Sequence, residues 1–212
     1  MKIVMGLFIF LFFSQYAFSQ SRPLSAEEHL HQGNNYARNG DLNRAIIEYT
    51  NAIKIDSRYE LALYNRGTIY FELQEFDNAI NDFTLLISIN PNRPAVYLNR
   101  GAVYARRGEL DKAINDFNIA IMLNPNYINA YYNRAMAYYD QNDFLMAISD
   151  YNTVIRIEPN NTEALYWRAM SFAQSNRINE AIIDWEAILR INPNDDNVRN
   201  ILERVYNLNK NN

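Results

Sequence analysis

The chain has 212 residues, 49% of them hydrophobic and 21% charged, with 24 acidic against 20 basic side chains and a formal net charge of −4. That balance argues against a nucleic-acid partner, because binding phosphates needs a dense basic face. The sequence contains no cysteine, which excludes disulfides, thiol nucleophiles and cysteine lipidation and leaves stability to packing.

Residues 1–19 differ from everything that follows. Lys2 precedes an apolar run, Ile3 to Phe13, and then Ser14-Gln15-Tyr16-Ala17-Phe18-Ser19. A basic start, an apolar core of about 11 residues and a small-x-small exit predict a secretory signal cut after Ser19. The alternative is a retained anchor, but the run falls short of the roughly 20 residues that span a bilayer. The expected location is therefore exported, in the periplasm of a two-membrane bacterium or secreted, with no membrane insertion after cleavage. Residues 20–25 read as an N-terminal lead. Ser25 and Glu28 have the spacing of a capping box that opens the first helix.

From residue 26 the chain repeats with a period of 34, giving units 26–59, 60–93, 94–127, 128–161 and 162–195. The eighth position is small (Gly33, Gly67, Gly101, Ala135, Ala169) and the eleventh aromatic (Tyr36, Tyr70, Tyr104, Tyr138, Phe172). The twentieth is always alanine (Ala45, Ala79, Ala113, Ala147, Ala181), and the twenty-fourth aromatic again (Tyr49, Phe83, Phe117, Tyr151, Trp185). Proline closes four units (Pro91, Pro125, Pro159, Pro193), with Ser57 in its place in the first. A fixed period of this length predicts stacked helix pairs, none of which buries its apolar face alone.

The third unit shows the local logic. Ala95 to Arg107 and Asp111 to Met122 carry apolar residues at helical spacing, and Gly108 marks the turn between them. Gly101 and Ala113 should face each other and let the two backbones approach. Pro125 ends the unit, because it cannot continue a helix. Beyond the repeats, 196–212 reads as a capping helix, Asp196 to Asn209, followed by a tail. Its apolar face is Val198, Ile201, Leu202, Val205 and Leu208; Arg199, Asn200, Glu203, Arg204 and Asn207 face water.

Four arginines at the seventh position (Arg66, Arg100, Arg134, Arg168) recur together with four aspartates at the twenty-third (Asp82, Asp116, Asp150, Asp184). Opposite charges that recur in step predict structural ion pairs. Catalysis has little to work with. The two histidines, His29 and His31, diverge on a helix and read as surface side chains near its start, not as a metal pair. Glycines follow the repeat period instead of forming a phosphate loop. Glu27-Glu28 and Asp195-Asp196 sit at helix starts, where the dipole favours them. No catalytic, cofactor or metal site is predicted, and no enzyme.

These five units resemble the tetratricopeptide repeat (TPR) family over about four fifths of the chain. The resemblance implies an all-α, right-handed α-solenoid of five helix-turn-helix units plus a C-terminal capping helix. The first helix of each pair would line a concave groove that holds peptides or partner proteins. His29 at the fourth position and Ser57 depart from the pattern and mark the first unit as an atypical end repeat. By resemblance the groove positions include Leu30, Asn34, Tyr64, Thr68, Phe71, Leu98, Ala102, Arg106, Tyr132, Met136, Tyr139, Tyr166 and Met170. The sixth positions Asn65, Asn99 and Asn133 would form an amide ladder suited to an extended backbone, or simply a solvated polar row. The tyrosines and Trp167 are either exposed anchors or aromatics buried between units. The partner-binding candidates are Asn34, Tyr64, Asn65, Asn99, Tyr132, Asn133, Tyr139, Tyr166 and Trp167. A carboxylate clamp of the kind some chaperone-binding members use is not expected. Leu30, Asn34, Asn65, Ala95 and Asn99 occupy its positions, and every cation is missing. The expected function is a non-enzymatic scaffold binding a polypeptide in the groove. The alternative is a structural or assembly factor of the cell envelope, acting through its convex or lateral face or by self-association.

Overall fold

The computed structural model describes residues 22–210, with side chains through Asn207. The predicted signal lies outside the described residues, as do the side chain of Leu208 and the last two asparagines. Among the described residues there are eleven helices and no strand, so the all-α expectation holds. None of these helices is long and apolar enough to cross a membrane.

The chain divides into two compact units at Tyr59. The first holds α1 (Ala26–Arg38) and α2 (Leu42–Ile55). The capping box forms: Ser25 N–H donates to Glu28 Oε2 at 2.8 Å, and Glu28 N–H donates to Ser25 Oγ at 3.2 Å. Tyr49, Ala45 and Ala52 of α2 bury their side chains against α1. His29 corrects the sequence reading. It is not a surface side chain but a partly buried one, its Nδ1 2.6 Å from Glu48 Oε2. His31 is exposed as expected.

The second unit stacks four helix pairs and a closing helix. The pairs are α3 (Glu60–Glu72) with α4 (Phe76–Ile89), α5 (Pro94–Arg106) with α6 (Leu110–Leu123), α7 (Ile128–Asp140) with α8 (Phe144–Ile157), and α9 (Thr162–Gln174) with α10 (Ile178–Ile191). The last helix is α11 (Asp196–Lys210). Each second helix packs on the first helix of the next pair, and successive first helices touch one another. This is an α-solenoid, with the alanines of the twentieth position and the aromatics of the twenty-fourth fully enclosed.

Two backbone devices set the pairs. At the fifteenth position the chain takes a left-handed conformation in every repeat, at Gly40, Gln74, Gly108, Asn142 and Asn176, with φ between 61° and 83°. Glycine adopts it freely, and the other three residues hold it at a steric cost. At the eighth position, a Cβ added to Gly101 would come within 2.7 Å of the Phe117 ring and 3.2 Å of the Ala113 carbonyl oxygen. The expected approach of Gly101 to the second helix is met, with the Phe117 ring as its tightest neighbour. In α11, Val198 and Leu202 are buried and close the last core with Trp185, Ile188 and Leu165, while Ile201 and Val205 pack beside it. Glu203, Arg204 and Asn207 are exposed, as predicted.

Candidate partner-binding face

The recurring charges are spent on structure. Arg66, Arg100, Arg134 and Arg168 each grip the aspartate sixteen residues on through Nε and Nη2, at 2.6–2.8 Å. A bidentate pair of this kind is strong and directional. The bond to Asp116 holds the Arg100 guanidinium above its already high range. In the last three repeats the remaining Nη1 donates to the preceding repeat: Arg100 to Thr84, Arg134 to Asn118 and Arg168 to Asn152. Each guanidinium also lies over the aromatic of the eleventh position, Tyr70, Tyr104, Tyr138 or Phe172. These arginines brace the array, their donors engaged largely within it.

That leaves the outward faces of the first helices. Tyr64, Asn65, Asn99, Tyr132, Asn133, Tyr139, Tyr166 and Trp167 are all half-buried there, neither free anchors nor core. The aromatics brace each other edge to face: Tyr139 with Trp167 at 5.3 Å, Tyr166 with Trp167 at 5.6 Å, and Tyr132 on Tyr151 at 5.8 Å. Leu98, read as a groove residue, is buried, and so is Leu30 in the first unit.

The asparagines divide. Asn99 Nδ2 donates to the Tyr64 hydroxyl at 2.9 Å, so it ties α5 to α3. In the first unit Asn34 accepts from the Tyr49 hydroxyl at 2.8 Å. Among the described residues the Asn133 side chain makes no hydrogen bond. It lines a hollow of about 270 Å³ between α3, α5 and α7, where Phe71, Ala102 and Met136 supply an apolar wall. Arg106 and Asp140 stand at the same hollow.

Beneath this face are two orphaned polar groups. Among the described residues the Tyr151 hydroxyl and the Trp185 Nε1–H are buried without hydrogen-bond partners. In the first repeat the group at this register is Tyr49, which has Asn34 as its acceptor; the fourth and fifth repeats place Met136 and Met170 where Asn34 stands. Burial pushes the Tyr151 phenol far above its ordinary range, so it stays protonated.

Comparison with known proteins settles the lineage. The family described as "TPR repeat" matches residues 33–74, 67–108 and 103–142, and "Tetratricopeptide repeat" matches 128–161 and 163–195. The chain belongs to the tetratricopeptide repeat family. No curated protein matches it in sequence. Solved TPR structures share the fold at low identity. One from Parabacteroides merdae superposes with a TM-score of 0.77 at 21% identity, over 85% of this chain and 72% of that one. MamA from Desulfovibrio magneticus gives 0.76 at 15% identity, over 81% and 97%. YrrB, described as a TPR protein with an unusual peptide-binding site, gives 0.72 at 19% identity, over 84% and 92%.

The TPR register also shows what sequence reading missed. Glu48 occupies the twenty-third position of the first repeat, where the other repeats have aspartate, but Gln32 stands where they have arginine. His29, one turn earlier on the same helix face, takes the arginine's place. An acid in register with its usual base missing was the available signal.

Proposed function

We propose that this TPR protein is a non-enzymatic scaffold that docks a polypeptide partner on the first-helix face of α3, α5 and α7. The observation that carries this reading is the hollow beside Asn133. It has an apolar wall and an unspent amide able both to donate and to accept. TPR proteins are in general interaction scaffolds, and the four recurring arginines are occupied by aspartates. The half-buried aromatics Tyr132, Tyr139, Tyr166 and Trp167 continue this face toward α9 as a rigid wall. A photocrosslinking residue placed at Ala102, compared with one at the exposed Met122 on α6, tests the assignment in the native cell envelope. A partner crosslinked at Met122 and never at Ala102 would move the docking site elsewhere.

The sequence supports export as part of the same proposal, with cleavage after Ser19 and action in the periplasm or outside the cell. N-terminal sequencing of the protein purified from its own host should begin at Gln20. A chain still starting at Met1 would overturn this.

A second reading has its own observation. Met122, Leu145 and Ile183, on the second helices α6, α8 and α10, expose 73%, 66% and 59% of their surface. These apolar groups favour an assembly factor working through that side. Light scattering of the wild type against Leu145→Lys decides it: a stable oligomer lost in the variant supports assembly, and a monomer in both removes it.

A further inference from the structure

The thirteenth position of the repeat carries Glu72, Arg106 and Asp140 in three successive units, an acid, a base and an acid. All three are exposed, and none makes an ion pair or a side-chain hydrogen bond among the described residues. Elsewhere in these repeats the charges are largely paired: Arg93 with Glu60, Arg107 with Asp77 and Glu109, and Lys112 with Glu109. Arg106 and Asp140 also line the hollow, with Phe71 and Met136 as its wall and Asn133 unspent beside them. An apolar recess, an amide unspent among the described residues and two members of the charge row, Arg106 and Asp140, meet at one place.

Spacing turns this into a ligand pattern. Packed helices lie about 8–10 Å apart, and an extended polyproline-II-like segment repeats its side-chain direction every three residues, about 9 Å. A segment crossing α3, α5 and α7 therefore presents every third residue to successive thirteenth positions. We infer that the hollow takes an extended segment of the form basic-x-x-acidic-x-x-basic, with a large apolar residue next to the central acid. The acid faces Arg106, the bases face Glu72 and Asp140, and the apolar side chain enters between Phe71 and Met136. Asn133 bonds the segment's backbone. This inference rests on the docking face proposed above and adds the chemistry of what it selects.

A pair of end-capped peptides tests it on the full chain. Lys-Pro-Leu-Glu-Leu-Pro-Lys reads the same in both directions, so it fits whichever way the segment runs; Glu-Pro-Leu-Lys-Leu-Pro-Glu keeps its shape and inverts its charges. Wild type should bind the first about tenfold tighter by fluorescence anisotropy, a difference that shrinks as salt rises. Arg106→Glu combined with Asp140→Lys should reverse the preference. Both side chains are exposed, and unchanged helical circular dichroism shows that the variant is folded. Ala102→Arg, which fills the recess, should abolish binding of either peptide.

Binding that Ala102→Arg blocks but the charge reversal leaves unaltered overturns this inference and keeps the docking face. Binding untouched by Ala102→Arg overturns both. Self-association of the wild type that Ala102→Arg removes would assign the hollow to a second copy of the chain and overturn the peptide pattern. No binding of either peptide also overturns it.

Discussion

Arg134 holds Asp150 through two parallel hydrogen bonds, Nε to Oδ2 and Nη2 to Oδ1, both 2.7 Å. Both side chains are largely buried, so removing one leaves the other charged and unpaired in a poorly solvated place. Arg134→Met should cost about 3–5 kcal/mol in urea unfolding, and Arg134→Met with Asp150→Leu should cost clearly less than the single change. Additive losses would show that the pair is not coupled.

Tyr151 carries a hydroxyl with no hydrogen-bond partner among the described residues, at a register where the second and third repeats have Phe83 and Phe117. Tyr151→Phe removes the orphaned group and keeps the ring that packs under Tyr132. It should stabilise the protein by about 1 kcal/mol, seen as a higher urea midpoint. Met136→Asn, which copies the Asn34–Tyr49 arrangement of the first repeat, should give the hydroxyl an acceptor. A lower midpoint for Tyr151→Phe would mean that the hydroxyl is bonded in solution.

Gln74 is exposed and left-handed at φ 61°, at the register where Gly108 sits at 83°. Relieving that conformation gains about 1–2 kcal/mol, offset in part by the greater freedom of glycine in the unfolded chain. Gln74→Gly should therefore stabilise by about 0.5–1 kcal/mol. Asn142→Gly should gain less, because asparagine tolerates this region. Thermal melts of the two variants give the order directly.

Leu202 is 5% exposed and closes the last core against Trp185 and Ile188. Leu202→Ala should cost about 2–5 kcal/mol. Amide exchange should rise first in α9 and α10 and reach the earlier helices later. Uniform exchange throughout would contradict this order.

The repeat register made most of the fold legible. Alanine and aromatic positions defined the buried seam, and co-recurring Arg66 to Arg168 with Asp82 to Asp184 announced the ion pairs. The left-handed turn was readable at Gly40 and Gly108 but not at Gln74, where the residue gives no sign and only the register does. The pairing of His29 was hidden because it reaches Glu48 from the fourth position, not the seventh. The aromatic candidates were undecidable for a geometric reason. Tyr139 and Trp167 lie at the boundary where one first helix meets the next, and periodicity alone does not say whether such a side chain leans on its neighbour or on water. Asn99 and Asn133 look identical in sequence. Only the three-dimensional reach of Tyr64 to Asn99 distinguishes them.

Arg100, Arg134 and Arg168 each touch an aspartate sixteen residues ahead and a polar side chain sixteen residues behind. A repeat's own clasp is thus complete only once its predecessor is in place, which couples neighbours that would otherwise order independently. Such an array should assemble and come apart as a zip, losing one clasp per step, instead of melting from its middle. Its order parameter is position along the chain, and the register that stacks the repeats also sets the direction in which the array fails.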